Sequence, residues 1–134
     1  MKFTASIFVR WSDLDAFGHV NNATYLTYAE VARVAWSRHK FAEKKPNSAL
    51  VQMTVARSEI DYLLPVTQFG VNYDMHLWVE KVGNSSYTCA YELVKDDVIY
   101  AKMKTVQVMI DIEKMKSRPL AEDERAFLNS YLLP

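Results

Sequence analysis

Residues 3–11 alternate along the chain. Phe3, Ala5, Ile7, Val9 and Trp11 fall on one side and Thr4, Ser6 and Arg10 on the other, with Phe8 as the exception. A period of two predicts a strand. Residues 12–22, Ser-Asp-Leu-Asp-Ala-Phe-Gly-His-Val-Asn-Asn, break the pattern around Gly18 and predict a loop. From 23 to 38 the period becomes helical: Tyr25, Tyr28, Ala29, Ala32 and Trp36 share one face. Leu26, Val31, Val34 and Ala35 make other faces apolar as well, which predicts a buried helix. Asn21 or Asn22 is its expected N-cap.

Residues 39–48 read as a charged connection broken by Pro46. The period then returns to two. Residues 49–62 predict a long strand, and 71–82 another, with Val71, Tyr73, Met75, Leu77 and Val79 on one face. Gly83-Asn84 signals a hairpin. Residues 85–94 place Tyr87, Cys89, Tyr91 and Leu93 on one side; Asp96-Asp97 makes a turn, and 98–112 is the last long strand. Pro119 and the acidic run Glu122-Asp123-Glu124 open a short terminal helix bearing Phe127, Leu128, Tyr131 and Leu132. The order is strand, helix, four strands, small helix. A single helix cannot cover two faces of a flat sheet. The expected architecture is therefore α+β, with a strongly curved antiparallel five-stranded sheet wrapped around one long buried helix. Its outer face must be polar or covered by a second subunit. Trp78 stands among polar neighbours there and points to coverage.

Composition narrows the class. A chain of 134 residues is expected to form one domain over 1–134. Half the residues are hydrophobic, which excludes disorder, yet no apolar run is long enough for a membrane span. The N-terminus does not resemble a signal peptide. Lysine plus arginine equals aspartate plus glutamate, 16 each, so charge offers no case for a nucleic-acid groove. A lone cysteine, Cys89, leaves no internal disulfide and suits a reducing compartment, with the cytoplasm as the default.

Nucleophiles are scarce. There is no Gly-x-Ser-x-Gly and no glycine-rich phosphate loop. Cys89 lies mid-strand among apolar residues and reads as a buried structural thiol. His19, His39 and His76 have no metal-ligand spacing, so neither metal nor cofactor is expected. What remains is Asp13, Asp15, Gly18, His19, Asn21 and Asn22, all just before the helix. By composition alone this is a polar loop with a helix cap.

The order of these residues says more. Arg10-Trp-Ser-Asp13-Leu-Asp15-Ala-Phe-Gly18-His19-Val-Asn21-Asn22-Ala-Thr-Tyr25, continuing to Glu30-Val-Ala-Arg33, resembles the signature of the 4-hydroxybenzoyl-CoA thioesterase family. Ile60-Asp61-Tyr62 with Pro65, and Val82-Gly83-Asn84-Ser85-Ser86-Tyr87, resemble later family segments. The likeness implies a hot-dog fold, an acyl-CoA substrate and a homodimer or homotetramer with sites between subunits. It implies that Asp15, the second acid of the pair, is catalytic. The Gly-His-Val-Asn-Asn form resembles the fatty acyl-CoA thioesterases more than the benzoyl-specific ones.

Physical chemistry suits that reading. A thioester carbonyl needs a base or nucleophile on one side and donors for the developing oxyanion on the other. The first turn of a helix offers unpaired N–H groups and a positive dipole end. Asp15 supplies the carboxylate and the Asn22 N–H, or a neighbour, the donor. Gly18, His19 and Tyr25 are the expected positioning residues, although His19 also reads as loop structure and Tyr25 as core. Asp13 reads as a brace for the loop. Asp61 is the reserve catalytic carboxylate. Glu30 and Arg33 are placed to pair along the helix, or Glu30 to face a neighbouring subunit. Met53, Met75, Met103 and Met109 read as core fillers or as an acyl tunnel. Ser85 and Ser86, beside Lys81, are guesses for CoA contacts. The rival functions are an acyl-carrier-protein thioesterase, a non-catalytic acyl-CoA-binding module and a hot-dog dehydratase. The last would need a histidine paired with a carboxylate.

Overall fold

The computed structural model describes residues 1–38 and 52–134. The predicted connection 39–48 and the first residues of the second strand lie outside them. Strand β1 is Phe3–Val9, helix α1 Thr24–Ser37, β2 Met53–Tyr62, β3 Val71–Val82, β4 Ser86–Lys95 and β5 Val98–Asp111. A two-residue strand β6, Lys116–Ser117, precedes α2, Glu122–Ser130. The sheet runs β1-β3-β4-β5-β2, antiparallel throughout, and β6 pairs with the end of β5. The expected five strands are present, and β6 is an addition too short to leave a period in the sequence.

The alternation works as read from Phe3 to Val9, but Trp11, counted on the same side, lies in a 3-10 turn after the strand and is 72% exposed. Ala5, Ile7 and Val9 of β1, Tyr73, Met75, Leu77 and Val79 of β3, and Tyr87, Cys89, Tyr91 and Leu93 of β4 are all buried beneath α1. Met75, Met103 and Met109 are almost fully buried in this layer, which makes them core. Bulges interrupt β2 between Val55 and Arg57 and β3 between Val79 and Lys81. Near the second bulge the C-terminal tail takes over from β1: Val79 donates to the Tyr131 carbonyl and accepts from Leu133, both at 2.9 Å.

Helix α1 matches expectation on one face and departs from it on the other. One face is buried, through Tyr25, Tyr28, Ala29, Ala32, Arg33, Trp36 and Ser37. The other leaves Leu26, Val31 and Val34 exposed, so the sheet of one chain covers only half of it. The cap also differs. Ala23 occupies the N-cap with no side-chain bond, and Asn21 acts from further out. The far end of α1 is closed by aromatic packing, with Trp36 ring centres 5.1 Å from Phe127 and 5.4 Å from Tyr131. On the outer face, Lys2 lies 4.3 Å above the Trp78 ring, so part of the expected coverage comes from the same chain.

Candidate active site

The loop between β1 and α1 is a tight double turn. Gly18 donates to the Asp15 carbonyl at 3.0 Å and Asp15 donates back to the His19 carbonyl at 2.9 Å. Leu14 and Val20 bridge across it. Gly18 closes the turn at φ +73°, a left-handed conformation that glycine adopts without strain.

The two acids have opposite surroundings. Asp13 is buried and points inward. It accepts from the Arg10 backbone at 3.0 Å, from two Arg10 guanidinium nitrogens at 3.1 and 2.9 Å, and from the Tyr28 hydroxyl at 2.7 Å. Burial pushes its carboxyl up, but Arg10 and Tyr28 outweigh burial and hold it below the ordinary carboxylate value. Burial, reinforced by the bond to Asp13, pushes the Tyr28 phenol far up. Asp13 is a brace, as its place in the loop suggested. Asp15 is half-buried. One oxygen accepts from the Phe17 amide at 2.9 Å, and the other from the Asn21 side chain at 3.4 Å.

Asn21 ties this carboxylate to the helix. Its side-chain oxygen accepts from the Ala23 amide at 3.0 Å, and its own carbonyl accepts from Thr24 at 2.9 Å. The Asn22 carbonyl accepts from the Tyr62 hydroxyl at 2.9 Å, while the Asn22 N–H meets no acceptor among the described residues. A cavity of about 280 Å³ opens here, lined by His19, Val20, Asn22, Tyr25, Tyr62, Leu63, Leu64 and Pro65. Tyr25 is buried, and its ring meets Tyr62 edge to face at 5.1 Å. Burial raises its hydroxyl above the ordinary value against a bond from the Val66 backbone. His19 is exposed at the rim.

Other candidates lie elsewhere. Asp61 pairs with Lys102 in the ladder and faces the outer side of the sheet, beside Glu59, Trp78 and Lys104. It therefore does not share the loop cavity. The reason is the β2 bulge: Met53 and Val55 face inward, and the extra residue reverses the parity so that Ser58, Ile60 and Tyr62 face inward after it. Ser85 sits in the β3–β4 turn and Ser86 opens β4, next to Tyr87, which packs on Trp36 at the far end of α1. Within one chain the length of α1, about 20 Å for 14 residues, separates that end from the loop. Arg33 does not pair with Glu30. It is buried and donates to the Tyr91 hydroxyl at 3.1 Å, whereas Glu30 is exposed. Cys89 is fully buried, and burial pushes its thiol up to about 12, the state of a structural cysteine.

Among the described residues no group of three His, Cys, Asp or Glu side chains is placed to hold a metal ion, and no helix is long and apolar enough to cross a membrane. Tyr62 was not assigned a role from the sequence. No local pattern announces that a residue 40 positions away closes the head of the helix.

A curved antiparallel sheet around one helix, with a carboxylate-bearing turn leading into that helix, defines a hot-dog protein of the thioesterase class. Residues 9–128 match the Thioesterase-like superfamily, and the chain belongs to it. It is similar to a protein of Bacillus stearothermophilus described as a predicted thioesterase, with 27% identity, a TM-score of 0.85, and 99% and 98% of the two chains covered. It is also similar to a thioesterase of Thermus thermophilus complexed with coenzyme A and Zn, with 28% identity, a TM-score of 0.80, and 96% and 92% covered. The 1,4-dihydroxy-2-naphthoyl-CoA thioesterase of Synechocystis shares the fold, at 20% identity, a TM-score of 0.79 and full coverage of both chains.

Proposed function

We propose that the protein is an acyl-CoA thioesterase that releases free acid and CoA, with Asp15 as nucleophile or general base. The observation that carries this is the Asn21 side chain, which touches the Asp15 carboxylate and the Ala23 amide together. That contact puts a carboxylate beside the dipole-bearing start of a helix. A carbonyl carbon held over the cavity rim can take attack from Asp15, or from a water it deprotonates. The negative charge that then gathers on the thioester oxygen is received by the Asn22 N–H. Collapse expels the CoA thiolate, which takes up the proton given by the water; where Asp15 itself attacks, the acyl–aspartate anhydride left behind is hydrolysed by a water, which releases the acid and restores Asp15. Tyr25, Leu63, Leu64 and Pro65 supply apolar wall for the acyl group. The Gly-His-Val-Asn-Asn loop, which resembles that of the fatty acyl-CoA thioesterases, supports an aliphatic rather than a benzoyl group. The likeness to a thioesterase complexed with coenzyme A supports CoA as the thiol carrier over an acyl carrier protein. Cys89, buried and unreactive, fits a reducing cytoplasm.

The working form is a homodimer or homotetramer. Strand β2 is an edge whose residues are mostly exposed on both faces, and the open side of α1 shows Leu26, Val31 and Val34. Both features border the loop cavity through Tyr62 and the head of α1. Ser85 and Ser86, remote within one chain, meet CoA only if a neighbouring subunit brings them to the site.

The test is free-thiol release from a panel of short, medium and long acyl-CoA esters and one benzoyl-CoA. Turnover concentrated on aliphatic chains is expected. Tight binding without cleavage across the panel would replace the enzyme with a binding module. A sedimentation profile of a single 15.5 kDa species at micromolar concentration would remove the oligomer.

A further inference from the structure

We infer that Tyr62 is a positioning residue, which acts through its bond to the Asn22 carbonyl to hold the head of α1 in the orientation that receives the oxyanion; this rests on the thioesterase reading above.

Asn22 lies between two peptide groups. The first joins it to Asn21, and that carbonyl is fixed by Thr24 at 2.9 Å. Because a peptide is planar and trans, fixing the Asn21 carbonyl also fixes the direction of the Asn22 N–H, which points the opposite way. The second group joins Asn22 to Ala23. Its N–H is held by the Asn21 side chain at 3.0 Å and its carbonyl by Tyr62 at 2.9 Å. Asn22 precedes the first helical residue, Thr24, and its N-cap, Ala23, so its carbonyl stands outside the helix and Tyr62 supplies its bond. The donor proposed for the oxyanion therefore sits in a short backbone segment clamped on both sides, with no acceptor among the described residues.

Tyr62 is itself held. Its ring meets the buried Tyr25 ring edge to face at 5.1 Å and 90°. It points inward only because the β2 bulge reverses the strand's parity. Packing does not explain the hydroxyl. Tyr62 is 47% exposed at the end of an edge strand, where a hydrogen bond adds little to stability. A bond that stabilises little but fixes one peptide plane beside the cavity is explained by geometry.

Tyr62→Phe removes the hydroxyl and keeps the ring. On the best acyl-CoA of the panel, kcat should fall about 10-fold, the scale of a small misplacement of catalytic groups. KM should stay within about twofold and the thermal midpoint should hardly move. Amide exchange at Ala23, whose N–H is bonded to the Asn21 side chain in the peptide that Tyr62 holds, should quicken when read by NMR without substrate. Unchanged kcat, or a loss confined to KM, overturns the inference. Asp15→Asn is measured alongside. If Asp15→Asn is inactive and Tyr62→Phe is normal, the inference fails and the thioesterase reading stands. If the wild type cleaves no thioester, both fail together.

Discussion

The floor and the rim of the β1–α1 loop carry one aspartate each, two residues apart, and the fold treats them oppositely. Asp13 on the floor is buried, takes four hydrogen bonds and faces a guanidinium. Asp15 on the rim is half-exposed and takes two, one of them long at 3.4 Å. A carboxylate whose acceptor sites are all occupied is stabilised as an anion and has no lone pair free for a substrate. A carboxylate with spare acceptor capacity beside a cavity can reach one. Two acids of the same type thus divide into a fastener and, in the proposed mechanism, a reagent through their partners alone.

The largest effect should come from the rim. Asp15→Asn should lower turnover about 100-fold or more, as loss of a general base or nucleophile does, while the thermal midpoint and acyl-CoA binding stay close to wild type. If Asp13→Asn abolished turnover in a folded protein and Asp15→Asn did not, the division would be reversed.

The floor should answer in stability. Asp13→Asn turns charged bonds into neutral ones and sets an amide against the Arg10 donors, so urea unfolding should show a loss of about 2–3 kcal/mol. The chemical step of the protein that remains folded should change by less than about threefold, well below the effect of a catalytic acid.

The pH dependence sharpens the same contrast. Asp13 has a folded-state pKa below its ordinary value. Its contribution is therefore fully present above the ordinary value, near 4, and is lost as pH falls through the lower folded value. The urea midpoint of the wild type should drop on acidification below about pH 4. Asp13→Asn should show a shallower drop over the same range. Parallel slopes would mean that Asp13 is not the acid-sensitive fastener.

The smallest effect concerns the turn that follows Asp15. A Cβ on Gly18 would meet nothing within 4 Å, so Gly18→Ala costs backbone strain alone, about 1 kcal/mol at φ +73°. A larger loss, measured by the same unfolding, would show that the loop cannot absorb the change.

Much of this molecule was legible in its sequence because the relevant physics is local. Alternation at Val71 to Val79 and at Tyr87 to Leu93 marked the inward faces, and all of those residues except the partly buried Val71 are fully buried. The turn residues around Gly18 marked the loop, and Asp13, the first acid of the pair before the helix, read as its brace; the catalytic role proposed for Asp15 came from the family resemblance. Tertiary structure decided what depends on distant partners or on parity. One extra residue in β2 sent Asp61 outward and Tyr62 inward, and no count of hydrophobic positions reveals such a bulge. Arg33 reached Tyr91, 58 positions away, instead of Glu30 one turn off, because the face it occupies is the one the sheet buries. Ser85 and Ser86 went to the far end of α1 because antiparallel strands return the chain there. Helix composition predicted burial on every side, but a single chain has only one sheet to offer, so half of α1 stays open. A sequence period records which face of an element is apolar; what covers that face is set by the rest of the fold.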